Sequence, residues 1–346
     1  MAYAAISKPS LYQNNIIYTG TAATLGVTGV GFQPDFTWIK NRVSAQNSNL
    51  VDAVRGVTKV LYSDSTAAEY TNVNSLTAFD SDGFTVGSSA EVNGSTNDMV
   101  SWSWKANGAG VLNEVGDIDS TVSVNTTSKF SIVKWTGNTT NSTVGHGLGV
   151  VPNFIIVKNL EDTGGWAWRV YNSSIGATKR MFLNTTDAAG TDSTAWNDTA
   201  PTSTVFTVGT STGVNGSGDG MIAYVFADLA GYSKFGSYSG NSNANGTFVY
   251  TGFKPSFIIV KGSNESGQDW AMFDDKRDPI NKITQRLQPS SSAIESGGQD
   301  LDFLSNGFKP RVTGAFMNGG YDYIYMAFAA EPLVANVGNG IPATAR

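Results

Sequence analysis

A single histidine, His146, is the one imidazole in the chain, and no cysteine accompanies it. The missing thiols exclude disulfides, thiolate metal sites and cysteine nucleophiles. A catalytic histidine needs a proton donor or acceptor within hydrogen-bond reach. His146 lies on a Gly-rich turn, TVGHGLGVVPN, with no evident companion, so it reads as a hydrogen-bonded loop residue. Carboxylates come in pairs: Asp80 with Asp82, Asp117 with Asp119, Asp300 with Asp302, and Asp274, Asp275 and Asp278 in FDDKRDP. Such pairs suit glycoside hydrolysis or a calcium loop. None carries the rest of a calcium-loop pattern, Lys276 and Arg277 neutralise the last group, and turns favour Asp for backbone reasons. No catalytic residue, cofactor site or metal ligand is assigned.

Tryptophans offer a different chemistry, because an exposed indole can stack on the face of a sugar. Trp166, Trp168, Trp196 and Trp270 fall in loop-rich stretches. Trp166 and Trp270 follow Gly165 and Gly267 closely and read as duplicated core residues, which leaves Trp168 and Trp196 as the ligand-binding candidates. Asn-X-Ser/Thr triplets at Asn125, Asn138, Asn172 and Asn184 read as products of an Asn- and Thr-rich β surface.

The elements that hold these residues recur in threes. GFQPDFTWIKN around Pro34 returns as GVVPNFIIVKN around Pro152 and GFKPSFIIVKG around Pro255. Upstream of each stands Tyr18-Thr19-Gly20, Trp135-Thr136-Gly137 or Tyr238-Ser239-Gly240; downstream, an Asn-Gly pair at Asn93, Asn215 or Asn318 opens an apolar run. Features shared in a fixed order signal duplicated structural units. The proline segment reads as a central strand with Pro at its entrance, and Asn-Gly as a hairpin signal. SWSW after Asn93 alternates like a half-buried strand, whereas MIAYVFA and YIYMAF are apolar on both faces and call for a contact on each side. DPINKITQRLQP, 278–289, has helix-like ends, but its counterparts GVTKVLYSD and GATKRMFLN look like strands, so strand is expected there.

Few charges and much Gly, Ser, Thr and Asn suit short strands and tight turns. A net charge of -6 argues against nucleic acid as a partner. No apolar run is long enough to span a bilayer and the start lacks a leader pattern, so the chain is expected to be soluble, unprocessed and not membrane-inserted. The expected fold is all-β, three tandem β-sandwich repeats in mutual contact. Boundaries follow from the motifs: an N-terminal segment 1–17, repeats at 18–108, 130–231 and 232–333, a linker at 109–129, and an extended C-terminal arm at 334–346.

GVGFQPDFTWIKNR, WAMFDDKR, LSNGFKPR and the ending YIYMAFAAEPLVANVGNGIPATAR together resemble a repeat of virion proteins from tailed bacteriophages, notably marine ones, where it accompanies tail-fibre and tail-associated structural proteins. The resemblance spans all three repeats. It implies concanavalin- or jelly-roll-like sandwiches on the particle surface, the tail before the capsid, and supplies no active site. The expectation is a non-enzymatic virion structural protein, a compact tail fibre or receptor-binding component that attaches to the host surface. Its expected partners are other virion proteins, a host glycan or protein receptor, and copies of itself, a homotrimer first. The alternatives are a capsid decoration or head-fibre protein and a surface-polysaccharide depolymerase.

Overall fold

The structure, a computed structural model, describes residues 4–161 and 164–332; the arm expected at 334–346 lies outside the described residues. It is nearly all-β, and its strands fall into three units whose four central strands share one order.

Unit one contains β1 (Gln13–Thr19), β2 (Leu25–Thr28), β3 (Phe36–Asn41), β4 (Asn49–Asp52) and β5 (Lys59–Tyr62). It continues with β6 (Tyr70–Thr71), β7 (Leu76–Asp80), β8 (Gly83–Val86), the one-turn helix α1 (Ala90–Asn93) and β9 (Asp98–Trp104). Its large sheet runs β1-β9-β3-β4-β5-β6 and its small sheet β2-β8-β7.

Unit two comprises β10 (Val111–Asn113), β11 (Ser120–Asn125), β12 (Phe130–Thr136), β13 (Ser142–Gly145) and β14 (Phe154–Asn159). After these come β15 (Arg169–Asn172), β16 (Lys179–Phe182), β17 (Gly190–Thr191), α2 (Ser193–Trp196), β18 (Val205–Val208), α3 (Thr212–Asn215) and β19 (Gly220–Phe226). Unit three has β20 (Ser233–Ser239), β21 (Val249–Tyr250), β22 (Phe253–Gly262), β23 (Ala271–Asp274), β24 (Leu301–Leu304), β25 (Gly307–Pro310) and β26 (Asp322–Pro332).

The four central strands β1-β9-β3-β4 recur as β12-β19-β14-β15 and β20-β26-β22-β23. Register recurs too: Phe36 faces Trp104, Phe154 faces Phe226 and Phe257 faces Phe328. Those phenylalanines stand two residues past Pro34, Pro152 and Pro255. The first two prolines precede their strands as expected. Pro255 lies inside β22, at a register shift against β26, where a bulge accommodates its missing N–H.

Strand alternation divides the apolar residues between two kinds of core. Ile39, Ile155 and Ile258 point into the sandwich of their own unit, with Phe84, Phe206 and Phe308 from the small sheets. Their neighbours Phe36, Trp38, Phe154, Ile156, Phe257 and Ile259 point the other way, into a fourth cluster that all three large sheets share. At its centre Trp104, Phe226 and Phe328, equivalent by register, meet edge to face at 6.3, 5.9 and 5.6 Å. The units thus surround an approximate three-fold axis within one chain.

The two-sided burial read from MIAYVFA and YIYMAF is met by this shared core, so no second copy of the chain is needed to cover either strand. SWSW behaves likewise: Ser101 and Ser103 are fully buried, so β9 is not half-exposed. Thr37 and Ser103 place their hydroxyls 3.3 Å apart, which lets small polar side chains sit in the sandwich.

Two further expectations change. Residues 109–129 are not a linker, since β10 and β11 extend the large sheet of unit two. The Asn-Gly pairs are not hairpin turns. Asn93, Asn215 and Asn318 are fully buried. Asn215 Nδ2 donates to Thr140 O (2.7 Å) and Gly209 O (2.9 Å), while its Oδ1 accepts from Asn138 N (2.9 Å). Asn318 does the same with Asn243 O, Val312 O and Asn241 N, and Asn93 with Gly87 O and Thr21 N. The asparagine therefore ties the loop after β1, β12 or β20 to the segment that leads into the last strand of its unit. This explains why Gly20, Gly137 and Gly240 recur: a Cβ at any of them would overlap the backbone of the Asn-Gly pair. Residues 278–289 are not helical; Ile283 and Arg286 form isolated bridges, a weaker form of the expected strand.

Replacing Gly137 with Val forces that backbone apart and is expected to cost about 2–4 kcal/mol. Urea unfolding checks this; a midpoint matching the parent protein would refute the close-approach account.

Candidate functional site

Hydrogen bonds join the units head to tail, and the same positions make them each time. Glu69 N donates to Leu160 O, Ala189 N to Ser263 O and Glu295 N to Arg42 O, each at 2.8 Å. The lysine of each proline-strand motif reaches its neighbour's backbone. Lys158 Nζ donates to Thr66 O (2.9 Å), Lys261 Nζ to Thr186 O (3.2 Å) and Lys40 Nζ to Ser291 O (2.8 Å). Each also donates within its own unit, to Trp166 O, Glu265 O or Gln46 O. All three lysines are buried. Burial pulls the Lys40 and Lys261 ammonium groups down to about 8, with Asp64 opposing the shift at Lys40 and Asp269 opposing it at Lys261. Thus the motif that recurs without catalytic residues is the element that welds the units.

Two of the three seams add an ion-pair network. Asp52 Oδ2 accepts from Arg55 Nε (2.5 Å) and from Tyr224 OH of unit two (2.8 Å), and Arg55 reaches Glu69 (3.2 Å). At the seam of units three and one, Asp274 Oδ2 accepts from Arg277 Nε (2.6 Å) and from Trp102 Nε1 (3.0 Å). There Glu295 bridges Arg277 (2.9 Å) and Arg42 (2.7 Å). Burial alone would lower the Arg55 pKa, but Asp52, Tyr224 and Glu69 raise it, so the charge is retained.

The seam of units two and three differs. Register places Asn172 and Ile175 where the other units have Asp and Arg, Ala189 in place of Glu, and Met326 in place of the neighbour's Tyr or Trp. Asn172 Oδ1 still caps the turn at Ser174 N (2.8 Å), but its buried Nδ2 has no hydrogen-bond partner among the described residues. Here the surface opens into a pocket of about 440 Å³, the candidate functional site, with Ser174, Lys179, Ser237 and Asp322 on its wall.

Neither tryptophan proposed from sequence lies at this pocket. Trp168 is fully buried in the shared core, its Nε1 donating to Tyr62 O of unit one at 2.8 Å. Trp196 is buried in the unit-two sandwich against Tyr171, ring centroids 5.9 Å apart. Neither offers a face to a ligand, which corrects the expectation. The counterpart of Trp270 is Trp168, not Trp166: each precedes the first residue of its strand, and Trp270 Nε1 donates to Phe182 O of unit two (2.8 Å). Pairing by distance from a glycine misplaced the match by two residues.

His146 is buried, with Nδ1 accepting from Leu148 N (3.2 Å), so Nε2 carries the proton toward Thr202 O (3.2 Å). Burial lowers its pKa to about 4, against the pull of Thr202 O. The paired acids brace loops. Asp82 accepts from Gly29 N and Gly31 N, Asp117 from Thr143, and Asp278 from Thr284 N and Gln285 N. Asp300 and Asp302 pair with Lys282 and Arg311. Among the described residues no three His, Asp or Glu side chains group as a metal site, and no helix is long and apolar enough to cross a membrane.

Residues 8–332 match the model of a family described as a domain of unknown function, DUF7483, and the chain belongs to that family. No curated protein and no solved structure matches.

Arg277→Leu leaves the fully buried Asp274 without its counter-charge and Glu295 with Arg42 alone, and is expected to cost about 3–5 kcal/mol. Denaturant unfolding reads this directly, and a loss below about 1 kcal/mol would mean the network is not buried as described. His146 gives a pH signature. Its folded pKa lies below the unfolded value of about 6.5, so stability is fully present above 6.5 and falls toward pH 4, by up to about 3 kcal/mol. The check is urea midpoints at pH 7 and pH 4 for wild type and His146→Gln; an equal pH dependence in both refutes it.

Proposed function

We propose that the chain is a bacteriophage virion structural protein without enzymatic activity, a compact tail fibre or receptor-binding component at the particle surface. The observation that carries this reading is where the buried chemistry goes. Lys40, Lys158, Lys261, Arg42, Arg55 and Trp102 all bond across seams, so these side chains serve to make one rigid body of three sandwiches. The repeat resemblance supports the same assignment. Attachment then falls to surface features such as the pocket between units two and three, and its partners are other virion proteins and a host glycan or protein receptor. Self-association into a homotrimer has to use outer surfaces, because the inner faces of the large sheets are occupied.

A second reading, a capsid decoration or head-fibre protein, is favoured by the approximate three-fold ring, whose shape suits a local three-fold of a shell. Antibody labelling of purified particles separates the two. Label at the tail is the expected result, label over the head moves the protein to the second reading, and bare particles refute both. Incubation with host capsule is expected to release no new reducing ends; their appearance would make the protein a depolymerase.

A further inference from the structure

Three partners are missing together at the seam of units two and three. Arg55, Glu69 and Tyr224 at one seam, and Arg277, Glu295 and Trp102 at another, correspond to Ile175, Ala189 and Met326 here. A buried ion pair can be exchanged for apolar side chains of equal bulk with no loss of stability. Ala189 lacks the bulk of Glu, however, and the seam is not refilled: Ile175 and Ala189 both stand on the wall of the 440 Å³ pocket. That volume lies within the ~300–1,000 Å³ usual for small-molecule sites.

The rest of the wall shows which groups are free to bind. Asp322 is engaged on both oxygens, Oδ1 by Ser239 Oγ (2.6 Å) and Oδ2 by Asn264 Nδ2 (3.2 Å). Ser263 Oγ is turned onto Asp322 O (3.1 Å). By contrast, the hydroxyls of Ser174 and Ser237 and the ammonium of Lys179 bond to no other described residue. An aliphatic patch, two hydroxyls and one cation complement a ring that has a C–H face, hydroxyl groups around its edge and one carboxylate.

We propose that this pocket binds a hexuronic acid residue of a surface polysaccharide. Lys179 pairs with the carboxylate, Ser174 and Ser237 bond the ring hydroxyls, and Ile175 and Ala189 meet the C–H face. As a contact for host glycan, the site rests on the attachment reading; as a sugar site, it stands on the pocket alone.

The test is titration of the full chain with sodium glucuronate, followed by amide chemical shifts, with glucose and sodium acetate as comparison probes. Glucuronate is expected to shift Ser174, Lys179 and Ser237, and Lys179→Ala to weaken it about tenfold, the loss of one charge-assisted contact. The double variant Ile175→Arg with Ala189→Glu restores the ion pair of the other seams, and should abolish the shifts without lowering Tm. Lys179 is exposed, so its replacement leaves a folded protein even where the double variant does not fold. Absent shifts, equal shifts with Lys179→Ala, or an acetate response matching glucuronate would overturn the inference. Labelled particles without glucuronate binding sink the pocket alone, whereas glucuronate binding by a protein missing from particles sinks the attachment reading alone.

Discussion

Burial of each large sheet on both faces is the constraint from which the rest follows. One face is covered by the small sheet of the same unit, the other by two more units, and the contact closes where Trp104, Phe226 and Phe328 meet. A ring of three head-to-tail contacts satisfies every inner face with no edge of the set left over. The apolar face brings the units together without specifying their rotation. Register is supplied by the lysines, whose ammonium groups must find carbonyls because burial makes an unpaired charge costly.

Three copies of one plan also act as mutual controls. Where two seams keep a Glu and an Arg and the third has Ala189 and Ile175, the difference is visible only because the backbone bond through Ala189 N is unchanged. Asn172 shows the same split between conserved geometry and altered chemistry. It caps its turn as Asp52 and Asp274 do, yet its Nδ2 finds no hydrogen-bond partner among the described residues. Backbone position and side-chain charge have therefore parted company at one seam alone.

Much of the fold was legible because it depends on local pattern. Period-two alternation after a proline, an apolar run after Asn-Gly and the threefold recurrence suffice to mark strands and units. Ring closure was not legible, since a lysine bound to a carbonyl 251 residues away leaves no local trace. The Asn-Gly pairs misled for a related reason: a turn signal and a buried amide clamp use the same two letters, and Gly20, Gly137 and Gly240 acquire meaning only once the two segments touch. Trp168 and Trp196 were misjudged because strands this short place loop-like sequence within a side chain's length of a core. The pocket had no signal in one repeat and a weak one in three, an alanine where two copies hold glutamate.

Closure between the first and last units has a consequence for synthesis. Asn15 bonds Ser256, Trp102 bonds Asp274 and Arg42 bonds Glu295, so unit one reaches its final surroundings only after most of the chain has left the ribosome. Until then its aromatic face, led by Trp38, Trp102 and Trp104, stays uncovered, and the long loop must close before the contacts repay its entropy. A nascent chain stalled midway therefore exposes aromatic surface that the finished protein buries.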